Sequence, residues 1–400
     1  MNDIKEVVSC RVRVLTFVDY YLPGYRYGGP PKTIANTVEA LGDEFEFLVV
    51  TRDREFGACE PYAEVQINDW NTVGKAKVFY AGPSMLSFRG IRRLLNDTAY
   101  DVLYFNSFLS PRFTVLPGLI RWLGFSPWKP IIIAPRGEFS PGALATKPIK
   151  KKIYITAAKL LQIYRGVIWQ ASSNREVEDI ESVMGPNSET IMVAPDLPYT
   201  GMPVFPKAHE THKNTRGQGF LQMVFLSRIS PMKNLDFLLR LLGRVKAAFL
   251  LTIYGPVSDL EYWAECQEVI RSLPSHIAVH YAGEVTPDKV AFAFAQHDVF
   301  VFPTRGENFG HVVLESLSAG TALILSDQTP WHADAKGAVE VLSLDDPDAW
   351  VAAIDRWSRF THEQLAEQRT AALNYVRDHL AADKSLELNR KLFRIAAEKT

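Results

Sequence analysis

Short runs rich in β-branched and aromatic residues alternate with helix-like stretches along almost the whole chain, and the alternation breaks once. That pattern restricts the fold more than any other feature. Strands that alternate with helices build parallel sheets, because each parallel pairing needs a long crossover. In the first series, strands are expected at residues 12–17, 45–50, 77–80, 102–105, 131–134, 167–170 and 192–195, with a helix at 33–41. From 196 to 219 the pattern dissolves into Pro198, Gly201, Pro203, Pro206, Gly217 and Gly219 among polar residues, which reads as a linker. It restarts with strands at 222–227, 249–254, 277–281, 299–302 and 322–326. Helices are expected at 234–245, 261–273, 289–295 and 311–319, and from 349 to the end with breaks near Thr361 and Asp383. Four hundred residues suffice for two domains with separate cores. The expectation is two α/β, Rossmann-like domains of similar size facing each other across a cleft: 1–200, a linker at 201–219, and 220–379.

Residues 303–315 read Pro-Thr-Arg-Gly-Glu-Asn-Phe-Gly-His-Val-Val-Leu-Glu. The apolar run before them reads as a buried parallel strand. The stretch after Gly310 reads as a helix ending at Gly320. Glu307 therefore falls in a loop at the carboxyl end of a strand, where open α/β sheets bind ligands. A helix N-terminus preceded by glycine suits phosphate. Glu315 lies eight residues on, a rise of about 12 Å along a helix. An acid and a nucleophile acting on one glycosidic bond stand roughly 5 to 10 Å apart. The two glutamates thus suit different parts of one long ligand.

Arg228 and Lys233, in Ser-Arg-Ile-Ser-Pro-Met-Lys-Asn, follow a strand and open a helix. Both would lie at the same sheet edge, where an arginine fork and a lysine suit an anionic phosphate ligand. Gly28-Gly29-Pro30 sits between the first strand and first helix, where backbone can approach a ligand. No G-x-G-x-x-G stands there, which argues against a dinucleotide oxidoreductase. Gly255 and Gly283-Glu284-Val285 end two further strands of the second series.

These segments resemble the retaining glycosyltransferases of family 4, which have the GT-B fold and an E-x7-E signature. The resemblance is strong over 220–335 and looser before 200. It implies that Glu307 and the backbone of Asn308, Phe309 and Gly310 contact the donor sugar and phosphate. It implies that Glu315 holds the ribose, and that Arg228 and Lys233 bind the diphosphate. It places Gly28 and Gly29 near the β-phosphate and acceptor, Gly255 by the phosphates, and Glu284 and Val285 by the nucleobase. It also implies that the C-terminal helix, 380–400, packs back on the first domain. One departure matters: the family usually carries a His after the fourth strand of the first domain, and Asn106 stands near that position here. A neutral amide hydrogen-bonds a sugar but cannot serve as general base. Asn106, Arg136 and Glu138, in loops after strands, are candidates for the acceptor side; an ion pair holding the loop is the alternative for the last two.

Between Val102 and Arg175 stand eleven basic residues and one acidic residue, Glu138. Lys147, Lys150, Lys151 and Lys152 lie beside Ile149, Ile153, Leu160 and Tyr164 at helical spacing. Such a face suits an anionic membrane surface or an anionic acceptor; the alternative is a packed helix with a solvated basic face. Nucleic acid is not expected, since the net charge is −1 and no recognition motif accompanies the patch. Three cysteines, Cys10, Cys59 and Cys266, fit a reduced compartment. No signal-peptide pattern and no apolar window long enough to span a bilayer is present. A cytoplasmic protein, soluble or peripheral on the inner face of the cell membrane, is expected.

The expected activity is retaining transfer of a sugar, a hexose, from a UDP- or GDP-sugar to an acceptor hydroxyl. Polysaccharide, lipopolysaccharide or other glycoconjugate assembly would be its setting, with a saccharide or lipid-linked saccharide as acceptor. No cofactor or metal is expected, for no D-x-D pair sits in a suitable loop. A non-catalytic nucleotide-sugar-binding protein and a nucleotide-sugar epimerase of the same fold are the alternatives.

Overall fold

The computed structural model describes residues 11–145, 148–185, 190–199 and 220–399. Cys10, Lys147 and the expected linker 201–219 lie outside the described residues. The chain divides into two compact units, Met1–Leu197 with Lys384–Thr400, and Pro198–Asp383.

The sheet of the first unit is built from β1 (Val12–Phe17), β2 (Phe45–Arg52), β3 (Trp70–Val73), β4 (Ala76–Ala81), β5 (Val102–Phe105), β6 (Ile131–Ile133), β7 (Ile168–Ala171) and β8 (Ile191–Val193). Their spatial order is β3-β4-β2-β1-β5-β6-β7-β8. Only β3 against β4 is antiparallel. Both faces of the sheet are buried, so the strands are apolar at successive positions rather than at every second one. Val14, Val102 and Tyr104 face one core with the helices Gly29–Leu41 and Ser385–Glu398. Leu15, Phe17, Leu103 and Phe105 face the other core, covered by Phe88–Asp97, Leu116–Trp122, Pro148–Leu160 and Asn174–Met184.

The chain leaves the second unit through the helix His362–Ala382 and re-enters the first as Ser385–Glu398. Leu392, Phe393 and Ala396 are fully buried there. Arg390 grips the carboxylate of Glu44 through Nε and Nη2 at 2.7 to 2.9 Å. Asn389 donates to the carbonyl of Pro195 at 2.7 Å.

The second unit holds β9 (Leu221–Leu226), β10 (Phe249–Tyr254), β11 (Ile277–Gly283), β12 (Val299–Phe302), β13 (Ala322–Ser326) and β14 (Val339–Leu342). The order is β11-β10-β9-β12-β13-β14, and every described pairing is parallel. The order reverses between β9 and β12. Loops leaving the carboxyl ends of those two strands diverge to opposite faces, which opens a crevice at that point. In the first unit the reversal lies between β1 and β5.

Candidate active site

Four loops stand side by side at the carboxyl edge of the second sheet, following β11, β10, β9 and β12 in that spatial order. They are tied to one another by backbone. Gly255, after β10, donates its N–H to the carbonyl of Gly283, after β11, at 2.9 Å. Tyr281 Oη donates to the carbonyl of Gly255 at 2.9 Å. Gly255 has φ +136°, and a Cβ there would lie 1.8 Å from the carbonyl oxygen of Ser227. Only glycine allows the loops after β9 and β10 to approach so closely.

The loop after β9 runs from Ser227 through Arg228 to a short 3-10 turn, Pro231–Lys233. Asn234 then takes the left-handed conformation, φ 58°, and turns the chain into the helix Leu235–Leu242. Asparagine accepts that conformation more readily than most residues. The helix thus begins one residue later than the sequence suggests. Arg228 is half-buried.

The loop after β12 locks onto this turn. Arg305 N donates to the carbonyl of Met232 at 2.8 Å, and Thr304 Oγ1 reaches the same carbonyl at 3.3 Å. Arg305 Nε donates to Asn234 Oδ1 at 3.0 Å. The result brings Lys233 and Glu307 together: Nζ lies 2.5 Å from Oε2, with the side chains 13% and 19% exposed. The ammonium also lies 5.3 Å from the centre of the Phe302 ring. Sequence reasoning gave Lys233 to phosphate and Glu307 to sugar; in the structure each is the other's counter-ion.

Glu307 is placed from the other side by the loop after β13. Its N–H donates to the carbonyl of Gln328 at 3.0 Å. Trp331 Nε1 donates to the carbonyl of Phe309 at 2.6 Å. Gly310, φ 81°, caps the helix His311–Ser318. A Cβ on it would lie 3.0 Å from Trp331 Nε1 and 3.1 Å from Glu307 Cγ. The Asn308 side chain keeps a buried Nδ2 with no hydrogen-bond partner in the structure. Such a donor at a helix N-terminus awaits an oxygen. Glu315 is half-buried within the His311–Ser318 helix, while Glu284 is exposed and Val285 half-buried after β11. Sequence reasoning missed Gln328, Trp331 and Arg305. Trp331 and Gln328 belong to no motif; their only signal is a place after a strand end.

In the first unit Gly28, φ 91°, precedes the helix Gly29–Leu41, and a Cβ on Gly29 would meet open space. Asn106 follows β5 beside β1, its N–H on the Phe17 carbonyl at 3.1 Å. Its Oδ1 accepts from Arg136 Nη2 at 2.9 Å. Arg136 itself has φ 55° and an almost fully buried side chain. It pairs with Asp196 and donates to Tyr104 Oη at 2.6 Å. The Glu138 carboxylate turns inward onto Ser107 Oγ at 2.7 Å and the N–H groups of Phe108 and Leu109. Burial raises its pKa against these hydrogen bonds. The three residues are thus brought together, but the side chains of Arg136 and Glu138 are committed to the protein. The Arg136–Glu138 ion pair weighed as an alternative does not form: Arg136 takes Asp196 and Glu138 takes backbone.

Among the described residues no three His, Cys, Asp or Glu side chains cluster as a metal site requires. Nor is any helix long and apolar enough to cross a membrane.

Residues 221–359 match the family model described as Glycosyl transferases group 1. No curated protein matches the chain significantly. Among solved structures, Anabaena HepE in complex with UDP-glucose superposes with a TM-score of 0.70 at 13% identity, covering 97% of this chain and 100% of that one. Sucrose-phosphate synthase from Thermosynechococcus elongatus gives 0.66 at 15%, covering 96% and 100%. WaaG, a glycosyltransferase involved in lipopolysaccharide biosynthesis, gives 0.64 at 13%, covering 96% and 99%. At such identity these likenesses establish the fold, which is GT-B. The match over residues 221–359, set in a GT-B fold, identifies the protein as a glycosyltransferase.

Proposed function

We propose that the protein is a retaining hexosyltransferase of family 4, taking a UDP- or GDP-sugar as donor and a saccharide hydroxyl as acceptor. The observation that carries this reading is the order of groups along one sheet edge. From β11 to β12 stand Glu284 and Val285, then Gly255, then Arg228 and Lys233, then Glu307. Neighbouring strands lie about 4.8 Å apart, so the row spans roughly 14 Å. That suits a nucleobase, diphosphate and sugar laid out in sequence. Glu315 would hold the ribose. Arg228 and Lys233 would hold the diphosphate, and Glu307 with the Asn308–Gly310 backbone the sugar. The family resemblance alone assigns Gly28 and Gly29 to the β-phosphate and Asn106 to the acceptor side; Arg136 and Glu138 brace the Asn106 loop.

A bound donor would change the electrostatics around the Lys233–Glu307 pair. Its two phosphates bring negative charge to Lys233, which must then be shared with Glu307. The carboxylate, released from its ion pair, becomes an acceptor for sugar hydroxyls. As the bond from the anomeric carbon to the β-phosphate oxygen breaks, its electron pair passes to that oxygen. Arg228 and Lys233 stabilise the charge as it develops. The acceptor oxygen bonds to the anomeric carbon on the same face, and its proton passes to the departing phosphate oxygen. Asn106, which cannot take a proton, is no obstacle to that route.

One neighbour is in complex with UDP-glucose and another is involved in lipopolysaccharide biosynthesis, which supports a UDP-sugar and a glycoconjugate pathway as the first choices. UDP-, GDP- and ADP-hexoses should be ranked by thermal stabilisation, which grows as RT ln(1 + [L]/Kd). A uridine or guanosine donor should raise Tm, and free nucleoside diphosphate should appear only when an acceptor is added. Stabilisation without such release would leave a binding protein, and isomerised donor without release would leave an epimerase.

A further inference from the structure

The layer of helices over one face of the first sheet presents an outward surface of unusual make-up. The helix Pro148–Leu160 turns Tyr154, Ile155 and Ala158 toward the core. On its opposite side Ile149, Ile153 and Leu160 are 74%, 65% and 78% exposed, with Leu161 beyond at 51%. At about 100° per residue the three form one narrow stripe. Lys150 flanks it on one side and Lys152 and Lys159 on the other, all exposed, though the Lys159 ammonium also donates to the Val183 carbonyl at 2.8 Å. Lysines so placed lift their charges to a boundary while their stems lie along the apolar stripe.

The same layer carries a second patch. The Phe88–Asp97 helix and the turn after Leu116–Trp122 expose Phe88, Trp122, Leu123, Phe125 and Trp128. Phe88 packs edge-on against Phe125 at 5.7 Å, and Arg92 lies over Phe125 at 5.2 Å. Arg89 and Arg93 are exposed beside them. The two patches are joined beneath: Gly118 packs against Tyr164, whose hydroxyl meets that of Tyr154 at 2.5 Å. Together they contribute nine of the eighteen exposed large hydrophobics among the described residues, too many for chance scatter. From Val102 to Arg175 the only carboxylate of a side chain is Glu138, and it faces inward. Outside that stretch the layer exposes Asp97, paired with Arg93 at 3.2 Å, and Glu178 and Glu181.

We propose that this helical layer docks on an anionic phospholipid surface, the Ile149–Leu160 stripe and the Phe125–Trp128 turn entering the headgroup region while the lysines and arginines meet lipid phosphates. Apolar side chains lacking a protein partner, rimmed by cations on both sides, fit a membrane interface better than a soluble partner bearing discrete acidic residues. The surface is independent of the donor site, so its failure would leave the glycosyl-transfer reading untouched.

The test is co-sedimentation with vesicles of phosphatidylglycerol and phosphatidylcholine, against phosphatidylcholine alone, without donor. The protein should bind the anionic vesicles only, and binding should fall as salt rises from 0.1 to 1 M, where the Debye length shrinks from about 10 to about 3 Å. Changing Lys150, Lys152 and Lys159 to Gln should weaken the partition about 100-fold, on the order of 5-fold per lysine. Changing Ile149, Ile153 and Leu160 to Ser should weaken it at least 10-fold with Tm unchanged, since these side chains are exposed. Brominated acyl chains should quench the fluorescence lost in Trp128→Phe. Equal binding to neutral vesicles, no binding, or parental binding by either triple variant would overturn the proposal; absence of that quenching would remove the second patch from it.

Discussion

Removing Lys233 tests the site where its chemistry is concentrated. Lys233 and Glu307 neutralise each other, with less than a fifth of either side chain exposed. Fully exposed pairs contribute about 0 to 1 kcal/mol, and removing one partner of a buried pair costs about 3 to 5. A pair at this depth falls between, so Lys233→Ala should destabilise the second unit by about 1 to 3 kcal/mol. For a domain of this size that lowers Tm by roughly 3 to 9 °C. Turnover should fall about 100-fold or more, the scale of losing one group that stabilises developing charge. Glu307→Gln should cost a similar factor in kcat but less in Tm, because it keeps a hydrogen-bond acceptor for the ammonium. The double variant is the decisive arm. If the two side chains work as one unit, it should be scarcely slower than the worse single variant, and a double-mutant cycle should show at least 1 kcal/mol of coupling. Release of nucleoside diphosphate gives the rates and a thermal melt gives the stabilities. Additivity within about 0.5 kcal/mol in both would refute the claim that the ion pair seen here is the resting form of the catalytic pair.

Two further predictions concern the scaffold. Gly255→Ala places a methyl 1.8 Å from the Ser227 carbonyl at φ +136°, and should cost about 3 kcal/mol or more; an unchanged midpoint in denaturant would contradict the packing of the loops after β9 and β10. His379 is exposed on its helix but lies with its ring 4.7 Å from that of Trp331, which holds the Phe309 carbonyl, and the desolvation on that side lowers its pKa, partly offset by Asp383. The unfolded chain therefore takes up this proton first as pH falls, so the stability it contributes is present above about pH 6.5 and is lost below it. His379→Phe should flatten the pH dependence of Tm between pH 6.5 and 5, and an unaltered slope would count against the stack.

Much of the fold was legible because parallel strands buried on both faces announce themselves. β12 is an uninterrupted apolar run and β1 is apolar but for Arg13 and Thr16, and both lie where the sequence placed them. β3 was missed for the opposite reason: Trp70–Val73 is short, half-exposed and antiparallel, with no apolar run to mark it. The motifs around Arg228, Lys233 and Glu307 were visible because each couples a strand end to a helix start. Their mutual arrangement was not, since Lys233 and Glu307 are 74 residues apart and meet only through the sheet order. The same holds for Arg136. Its sequence neighbour Glu138 suggested a local ion pair, whereas its partner is Asp196, 60 residues away, which also accepts from Thr33 at 2.9 Å. Local patterns locate the carboxyl edge of a sheet; they do not reveal which charges on that edge the folded chain pairs.

The central claim is that a nucleoside diphosphate sugar lies along the β11–β12 edge and transfers its sugar with retention at the anomeric carbon. Proton NMR of the first-formed product is the most direct measurement. The donor would be the UDP- or GDP-hexose that stabilises the protein most, with a panel of simple glycosides as acceptors. The product should carry the anomeric configuration of the donor, and its formation should match the release of nucleoside diphosphate one for one. A product of inverted configuration would contradict the same-face displacement and the roles assigned to Glu307, Arg228 and Lys233.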